Sequence, residues 1–473
     1  MKLIASLLLL LFASRSQAQS DYKIEITLKN YPYKTLLIGY EYGSQKYPKD
    51  TLTLNSNGQF VFEGKDSIKN GLYFIVLQPK NEFLEFIIDY NDHHFAIAAD
   101  AQNVLQTLVY KNSSSNQLFK EYEAFLKSKQ DQMAQIIQKK KSLPDTPENQ
   151  QKIKADLKSL DTEIGAFQAD FIKQHKGTFP ALIAQSLSPI KLPSFTGSTE
   201  EILTQSLAYQ RAHFWDNIDF DDKRLLYTNF FDEKMTYYMN EFIPQHPDTI
   251  SQEMDVLLTR MTENNEMYQY YLVAWLNKYA HTVTKGLDAV YVHLVKNYFA
   301  KGKSTRITED QLASILRDVE LLEPVLIGKK APNITLYKQD GSAMSIYDSD
   351  KPYTLLFFWG PDCGHCQKAA PYLVKFFDKY KDQVEVITIC NEIGDEKVKK
   401  CWQGVTDHEY NKMINLADPK YTSSFKTAYY VKMTPTVYIL NKDKIIIAKN
   451  ILAKELSSTM ERLIAQDQVN PSK

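Results

Sequence analysis

Near its start the chain alternates apolar and polar residues with period two. Tyr22, Ile24, Ile26 and Leu28 interleave with Lys23, Glu25 and Thr27, the pattern of a strand with one buried face. Residues 51–54 and 60–62 flank Asn57-Gly58, a pair suited to positive φ, so a hairpin is predicted there. Further strands are expected at 36–42, 72–77, 83–89 and 95–98. Short strands broken by turn residues predict a small all-β antiparallel sandwich or barrel over residues 19–112. At Asn112-Ser113-Ser114-Ser115-Asn116 the pattern changes, and residues 113–326 read as an all-α domain. Helix starts are marked by Thr146-Pro147-Glu148, by Ser198 with Glu201, and by Thr308 with Gln311. Within 254–280, Leu257, Leu258, Met261, Tyr268, Tyr271, Leu272 and Trp275 fall near three-four spacing. They line one face, which reads as core rather than as a ligand groove. Over residues 327–473 strands and helices alternate. Strands are expected at 334–337, 354–358, 384–390, 436–440 and 445–449, and helices at 364–380, 398–410 and 454–465. That order predicts an α/β layer fold with a mixed sheet.

Residues 1–18 stand apart. One early cation, Lys2, precedes an apolar stretch over 3–13 that closes on Ser16-Gln17-Ala18, the layout of a secretory signal peptide cleaved before Gln19. The apolar stretch is about 11 residues, too short for a bilayer of ~30 Å. Nothing downstream offers a longer one, so no transmembrane anchor is expected in the mature chain. Export places the protein in an oxidising compartment, the periplasm and cell envelope in a Gram-negative host. The 473 residues carry a formal net charge of -1, which gives no electrostatic footprint for nucleic acid.

All four cysteines lie between Cys363 and Cys401, too few for a disulfide scaffold. Cys363-Gly364-His365-Cys366 follows the apolar run 355–359 and opens a helix. A strand-to-helix turn sets the first thiol at a helix N-terminus, where free N–H groups and the helix dipole stabilise a thiolate. A redox dithiol fits this placement better than a zinc site. Cys390 and Cys401 have ten residues between them and form no second tight knuckle. These two either form a second, structural disulfide or remain buried thiols. The remaining histidines, among them His93, His94, His213, His281 and His293, have no ligand spacing and read as structural or surface groups.

With these residues in place, the segment from about 328 to 466 resembles the thioredoxin superfamily, and within it the exported TlpA/ResA-like thiol-disulfide oxidoreductases. Trp359 stands four residues before Cys363 and Pro371 eight after it, at the family's active-site helix kink. Met433-Thr434-Pro435-Thr436 resembles the cis-proline loop that faces the dithiol. Gly328-Lys329-Lys330-Ala331-Pro332, followed by Asp340-Gly341, resembles the opening segment of TlpA-like and peroxiredoxin-like domains. The resemblance implies that Cys363 is the nucleophile, that Cys366 resolves the mixed disulfide, and that His365 stabilises the Cys363 thiolate. Thr434 and Pro435 would offer backbone to an extended substrate. No cofactor is implied beyond the redox-active Cys363–Cys366 pair, and no metal. Gly-His is the dipeptide of protein disulfide isomerase domains, whose potential is about -180 mV against about -270 mV for thioredoxin. One departure stands out: the buried Asp of thioredoxins, six residues before the first Cys, is Phe357 here. Asp362 and Glu392 are the nearest carboxylates in sequence, and both read as surface groups.

The implied function is disulfide exchange with exported proteins, most often as reductase and fed by a membrane electron donor or acceptor. The alternatives are a disulfide isomerase or oxidase, and an envelope scaffold with a vestigial thioredoxin-like domain. The intact Cys363, Cys366 and Thr434-Pro435 set argues against decay. Peroxidase chemistry wants Pro-x-x-x-Thr-x-x-Cys, which the Trp359 to Cys363 turn does not supply.

Overall fold

The computed structural model describes residues 21–261, 265–282, 284 and 286–469. The expected signal peptide lies outside the described residues. The chain falls into two compact units, one ending at Phe242 and the other beginning at Ile243. The helical residues expected over 113–326 lie on both sides of that boundary.

The first unit opens with β1 (Tyr22–Lys29), β2 (Thr35–Tyr42), β3 (Gln45–Thr53), β4 (Phe60–Gly64), β5 (Gly71–Leu77), β6 (Glu82–Ile88) and β7 (His94–Asp100), then a short helix α1 (Val104–Thr107) and β8 (Val109–Lys111). They form two four-stranded sheets, ordered β4-β1-β7-β8 and β3-β2-β5-β6. The alternating residues Ile24, Ile26, Phe60, Phe62 and Ile97 meet Ile38, Ile75, Phe86 and Ile88 in one core, so the fold is a sandwich. Two expectations need correction. The sandwich is not wholly antiparallel, because β1 and β7 run parallel; alternation reports which face is buried, not strand direction. The hairpin about Asn57-Gly58 is absent, since β3 pairs with β2 and β4 with β1. The turn itself is present. Asn55 Oδ1 accepts from the Asn57 and Gln59 N–H groups at 2.9 and 3.0 Å and Gly58 has φ 72°, but the turn carries the chain from one sheet to the other.

All seven residues of β5 are buried, because helices cover the sheet face turned away from the sandwich core. The longer helices of this unit are α2 (Ser114–Ser142), α3 (Pro147–Gln174), α4 (Phe179–Leu187), α5 (Thr199–His213) and α6 (Asn229–Tyr237); α2 and α4 lie on the sheet, whereas α5 buries none of its residues. Phe119 of α2 and Phe179 and Ile183 of α4 pack on Leu72 and Ile87. Asn116, fully buried, satisfies the outer edge of β6: its Oδ1 accepts from Ile87 N–H and its Nδ2 donates to Ile87 C=O, both at 2.7 Å. Thr146 and Ser198 cap α3 and α5 as expected, Ser198 with a full capping box to Glu201.

The second unit begins with α7 (Pro247–Arg260), α8 (Glu266–Ala280), α9 (Asp288–Leu294) and α10 (Glu309–Leu322), the last opened by a Thr308–Gln311 capping box. The stripe read over 254–280 is split between α7 and α8. Asn265 caps α8 by accepting from Met267 N–H at 2.7 Å, and all seven stripe residues are buried. There follow β9 (Thr335–Tyr337), β10 (Ala343–Ser345), β11 (Tyr353–Trp359), α11 (Gly364–Tyr380), β12 (Val384–Ile393), α12 (Asp395–Asp407), β13 (Ile414–Asp418), α13 (Phe425–Ala428), β14 (Thr436–Leu440), β15 (Ile446–Lys449) and α14 (Leu456–Val469). The sheet order is β10-β9-β13-β12-β11-β14-β15. β11 pairs parallel to β12 and antiparallel to β14, which makes the sheet mixed as expected. β10, β13 and α13 are additions that the residue pattern did not announce. β11 is buried along its whole length, so its continuous apolar run reflects cover on both faces, and it delivers its C-terminal end to the Cys-x-x-Cys turn.

Candidate redox-active site

β11 ends at Trp359, and four residues later Cys363 caps α11. Its Sγ accepts from the Cys366 N–H at 3.1 Å, and its carbonyl accepts from Cys366 and Gln367 N–H at 2.9 and 3.1 Å. The two cysteines are joined, with Cα atoms 5.2 Å apart. Their environments differ sharply: Cys363 is half-buried and Cys366 fully buried. Gly364 and His365 between them are exposed, as is Pro371 further along α11. Across the site the Thr434–Pro435 peptide is cis, and the Thr434 carbonyl oxygen lies 3.3 Å from Cys363 Sγ. Cys363, Cys366, Thr434 and Pro435 thus meet at one place, although Cys363 and Thr434 are 71 residues apart in sequence.

Behind the dithiol the lining is aromatic. Phe357 is fully buried and meets Tyr410 edge-on at 6.2 Å. Trp359, also fully buried, is held edge-on by His408 at 5.6 Å and by Tyr410 at 5.4 Å. Burial pushes the Tyr410 phenol well above its ordinary range. Neither its hydroxyl nor Trp359 Nε1 has a hydrogen-bond partner among the described residues. Asp362 is turned outward, its Oδ2 3.1 Å from Lys400 Nζ with both side chains mostly exposed, and Glu392 is half-exposed.

Cys390 stands opposite Trp359 in the β11–β12 register. It is bonded to Cys401 of α12, with Cα atoms 6.0 Å apart and both residues buried. The bond ties α12 to the strand beside the site. Gly404, one turn further along α12, lies against the indole: a Cβ there would stand 2.8 Å from Trp359 Cη2. His408, Tyr410 and Gly404 were missed in the sequence. An isolated Gly within a helical pattern was the one signal that pointed to close packing. Among the described residues no group of three or more His, Cys, Asp or Glu gathers as metal ligands, and no helix is long and apolar enough to cross a membrane.

The Redoxin family matches residues 326–464. Two families described as domains of unknown function, DUF4369 and DUF5106, match residues 22–119 and 127–323. Among solved structures, a thioredoxin-like protein from Bacteroides caccae aligns with a TM-score of 0.45 at 21% identity, covering 58% of this chain and 97% of that one. Thiol-disulfide oxidoreductase ResA of Bacillus cereus is 29% identical over 140 residues, which is 29% of this chain and 77% of that protein. ResA of Bacillus thuringiensis subsp. konkukian is 31% identical over 126 residues, 26% of this chain and 69% of that protein. In its C-terminal domain, where the buried and half-buried cysteines meet the Thr434–Pro435 loop, the chain belongs to the TlpA/ResA-like thiol-disulfide oxidoreductases of the thioredoxin superfamily.

Proposed function

We propose that the protein is exported and reduces disulfides of other exported proteins, with Cys363 as nucleophile and Cys366 as resolving thiol. The observation that carries this reading is the asymmetry of the pair. Cys363 is the half-buried thiol at the start of α11, while Cys366 is sealed beneath it. A partner sulfur can reach the first and not the second. In the dithiol form the helix N-terminus, and His365 when protonated, favour the Cys363 thiolate.

The thiolate attacks one sulfur of the partner disulfide. A Cys363–partner bond forms, and the displaced partner thiolate takes up a proton. Cys366, deprotonated, then attacks Cys363 Sγ and releases the second partner thiolate. Two electrons pass to the partner, and Cys363–Cys366 is left oxidised. A dithiol donor at the membrane restores the reduced pair. The Thr434 carbonyl beside Cys363 supports backbone pairing with an extended partner segment. Residues 1–18 carry the leader pattern that supports export.

The test is insulin reduction by the mature chain with dithiothreitol as donor. Cys363→Ser is expected to abolish turnover, and wild-type-like turnover by that variant would sink the assignment of the nucleophile. Cys366→Ala should accumulate mixed disulfides with envelope proteins, and their absence would favour a scaffold role. A potential equilibrated against glutathione separates reductase from isomerase or oxidase. N-terminal sequencing of the envelope form checks cleavage before Gln19.

A further inference from the structure

Helix α10 precedes the redox domain in sequence, yet it reaches the segment that leads into the Thr434–Pro435 loop. Both carboxylate oxygens of Asp318 accept from the Tyr430 hydroxyl at 2.7 Å, and Lys432 Nζ pairs with Oδ1. Tyr291 of α9 faces the same carboxylate: burial first, then Asp318, push its phenol above the ordinary range. Tyr430 has φ 48°, a left-handed conformation that a bulky side chain keeps only when its surroundings fix it.

The redox domain fixes the preceding residue by itself. Tyr438 donates to Tyr429 C=O at 2.7 Å, and the Tyr429 hydroxyl donates to Pro332 C=O at 2.6 Å. At 430–432 the redox domain supplies backbone bonds, Tyr430 N–H to Thr427 C=O at 3.1 Å and Val431 N–H to Lys426 C=O at 2.8 Å, while the Tyr430 and Lys432 side chains are tied to Asp318 of α10. A cavity of about 100 Å³ lies alongside these side chains, lined in part by Tyr291, Asp318, Tyr430 and Tyr438. The platform that carries Asp318 is anchored separately. The buried Lys449 sits 2.7 Å from Asp288 Oδ2 and donates to Val325 C=O at 2.9 Å. Two residues after Lys432 comes Thr434, whose carbonyl stands beside Cys363 Sγ.

We propose that Asp318 is a positioning residue for disulfide exchange. It holds the 430–435 segment so that the Thr434 backbone is presented to an extended protein substrate. The proposal rests on the reading of Cys363 and Thr434 given above. A small disulfide that reaches Cys363 without pairing to backbone does not need this alignment, so the contribution is specific to protein substrates.

The experiment compares full-length wild type, Asp318→Ala, Asp318→Asn, Asp318→Glu and Tyr430→Phe. Steady-state insulin reduction with dithiothreitol gives KM and kcat, and stopped-flow reaction of the reduced proteins with 5,5′-dithiobis(2-nitrobenzoate) gives the intrinsic reactivity of Cys363. Asp318→Ala is expected to raise the insulin KM about tenfold, the loss of charge-assisted bonds, with kcat and the small-disulfide rate within about twofold of wild type. Asp318→Glu should recover most of that loss. An unchanged KM, an equal loss with both substrates, or no recovery with Glu overturns the proposal. If Asp318→Ala does not fold, Asp318→Asn and Tyr430→Phe must show the same split, and unchanged KM in both overturns it equally. A wild-type chain that reacts with the small disulfide but never turns over insulin overturns the functional reading itself, and this assignment with it.

Discussion

Replacing both Cys390 and Cys401 with Ala tests whether the second bond carries the stability of the redox domain. The two cysteines are separated by 11 positions, and the chain-entropy relation for a loop of that length gives ~2.8 kcal/mol. Both sulfurs are buried, so truncation also removes packed volume, on the order of 1 kcal/mol for a site that relaxes well. Together these predict a loss of about 4 kcal/mol. For a unit of this size ~2–4 °C accompanies each kcal/mol, so a fall of about 10 °C is expected. Scanning calorimetry of the full chain without reductant is the appropriate assay, because the two units can melt separately and only the second should move. A shift of that transition by less than about 3 °C would refute the reasoning. So would an equal shift of the first unit, which contains neither cysteine.

Gly404→Ala places a methyl 2.8 Å from the fully buried Trp359 indole. The overpacking cost of ~1–3 kcal/mol should outweigh the helix-propensity gain of at most about 1 kcal/mol. Urea denaturation followed by tryptophan emission reads both effects, and an unchanged midpoint and spectrum would mean that α12 yields freely. In the first unit Arg224 Nη1 lies 2.9 Å from Asp89 Oδ1, with both residues buried. Arg224→Leu removes the cation that Asp89 shares with Asp222 and leaves the buried Asp89 only its bonds from Tyr90 N–H, Phe179 N–H and Ser115 Oγ, so a loss of ~3–5 kcal/mol is expected. Adding Asp89→Asn should recover part of it, and a double variant no more stable than Arg224→Leu contradicts the assignment.

What could be read in the sequence was what is decided within a few residues. The Ser198–Glu201 and Thr308–Gln311 boxes formed because each satisfies free N–H groups within one turn. The Cys-x-x-Cys turn was legible for the same reason, since strand, turn and helix start are contiguous from 353 to 366. Strand direction was not: β1 and β7 lie in parallel because the chain builds the opposite sheet between them. β13 went unseen because Ile414-Asn415-Leu416-Ala417-Asp418 mixes polar with apolar residues and lacks the apolar run that marked β11 and β14. The aromatic wall behind the site escaped for a related reason. His408 and Tyr410 become meaningful only against Trp359, about fifty positions earlier. The clamp of Asp318 on Tyr430 joins residues 112 positions apart, beyond any local pattern.

The placement of the cysteines also bears on how the chain acquires its bonds. Four cysteines admit three pairings. The observed one joins the first to the second and the third to the fourth. Under the export proposed above, a chain that crosses the membrane N-terminus first would present Cys363 and Cys366 before Cys390 and Cys401, so pairing in order of appearance would yield this connectivity. The other two arrangements both require an early cysteine to wait for a late one. Under that proposed export the order of emergence would favour the native arrangement, because Cys363 is the first cysteine of the sequence.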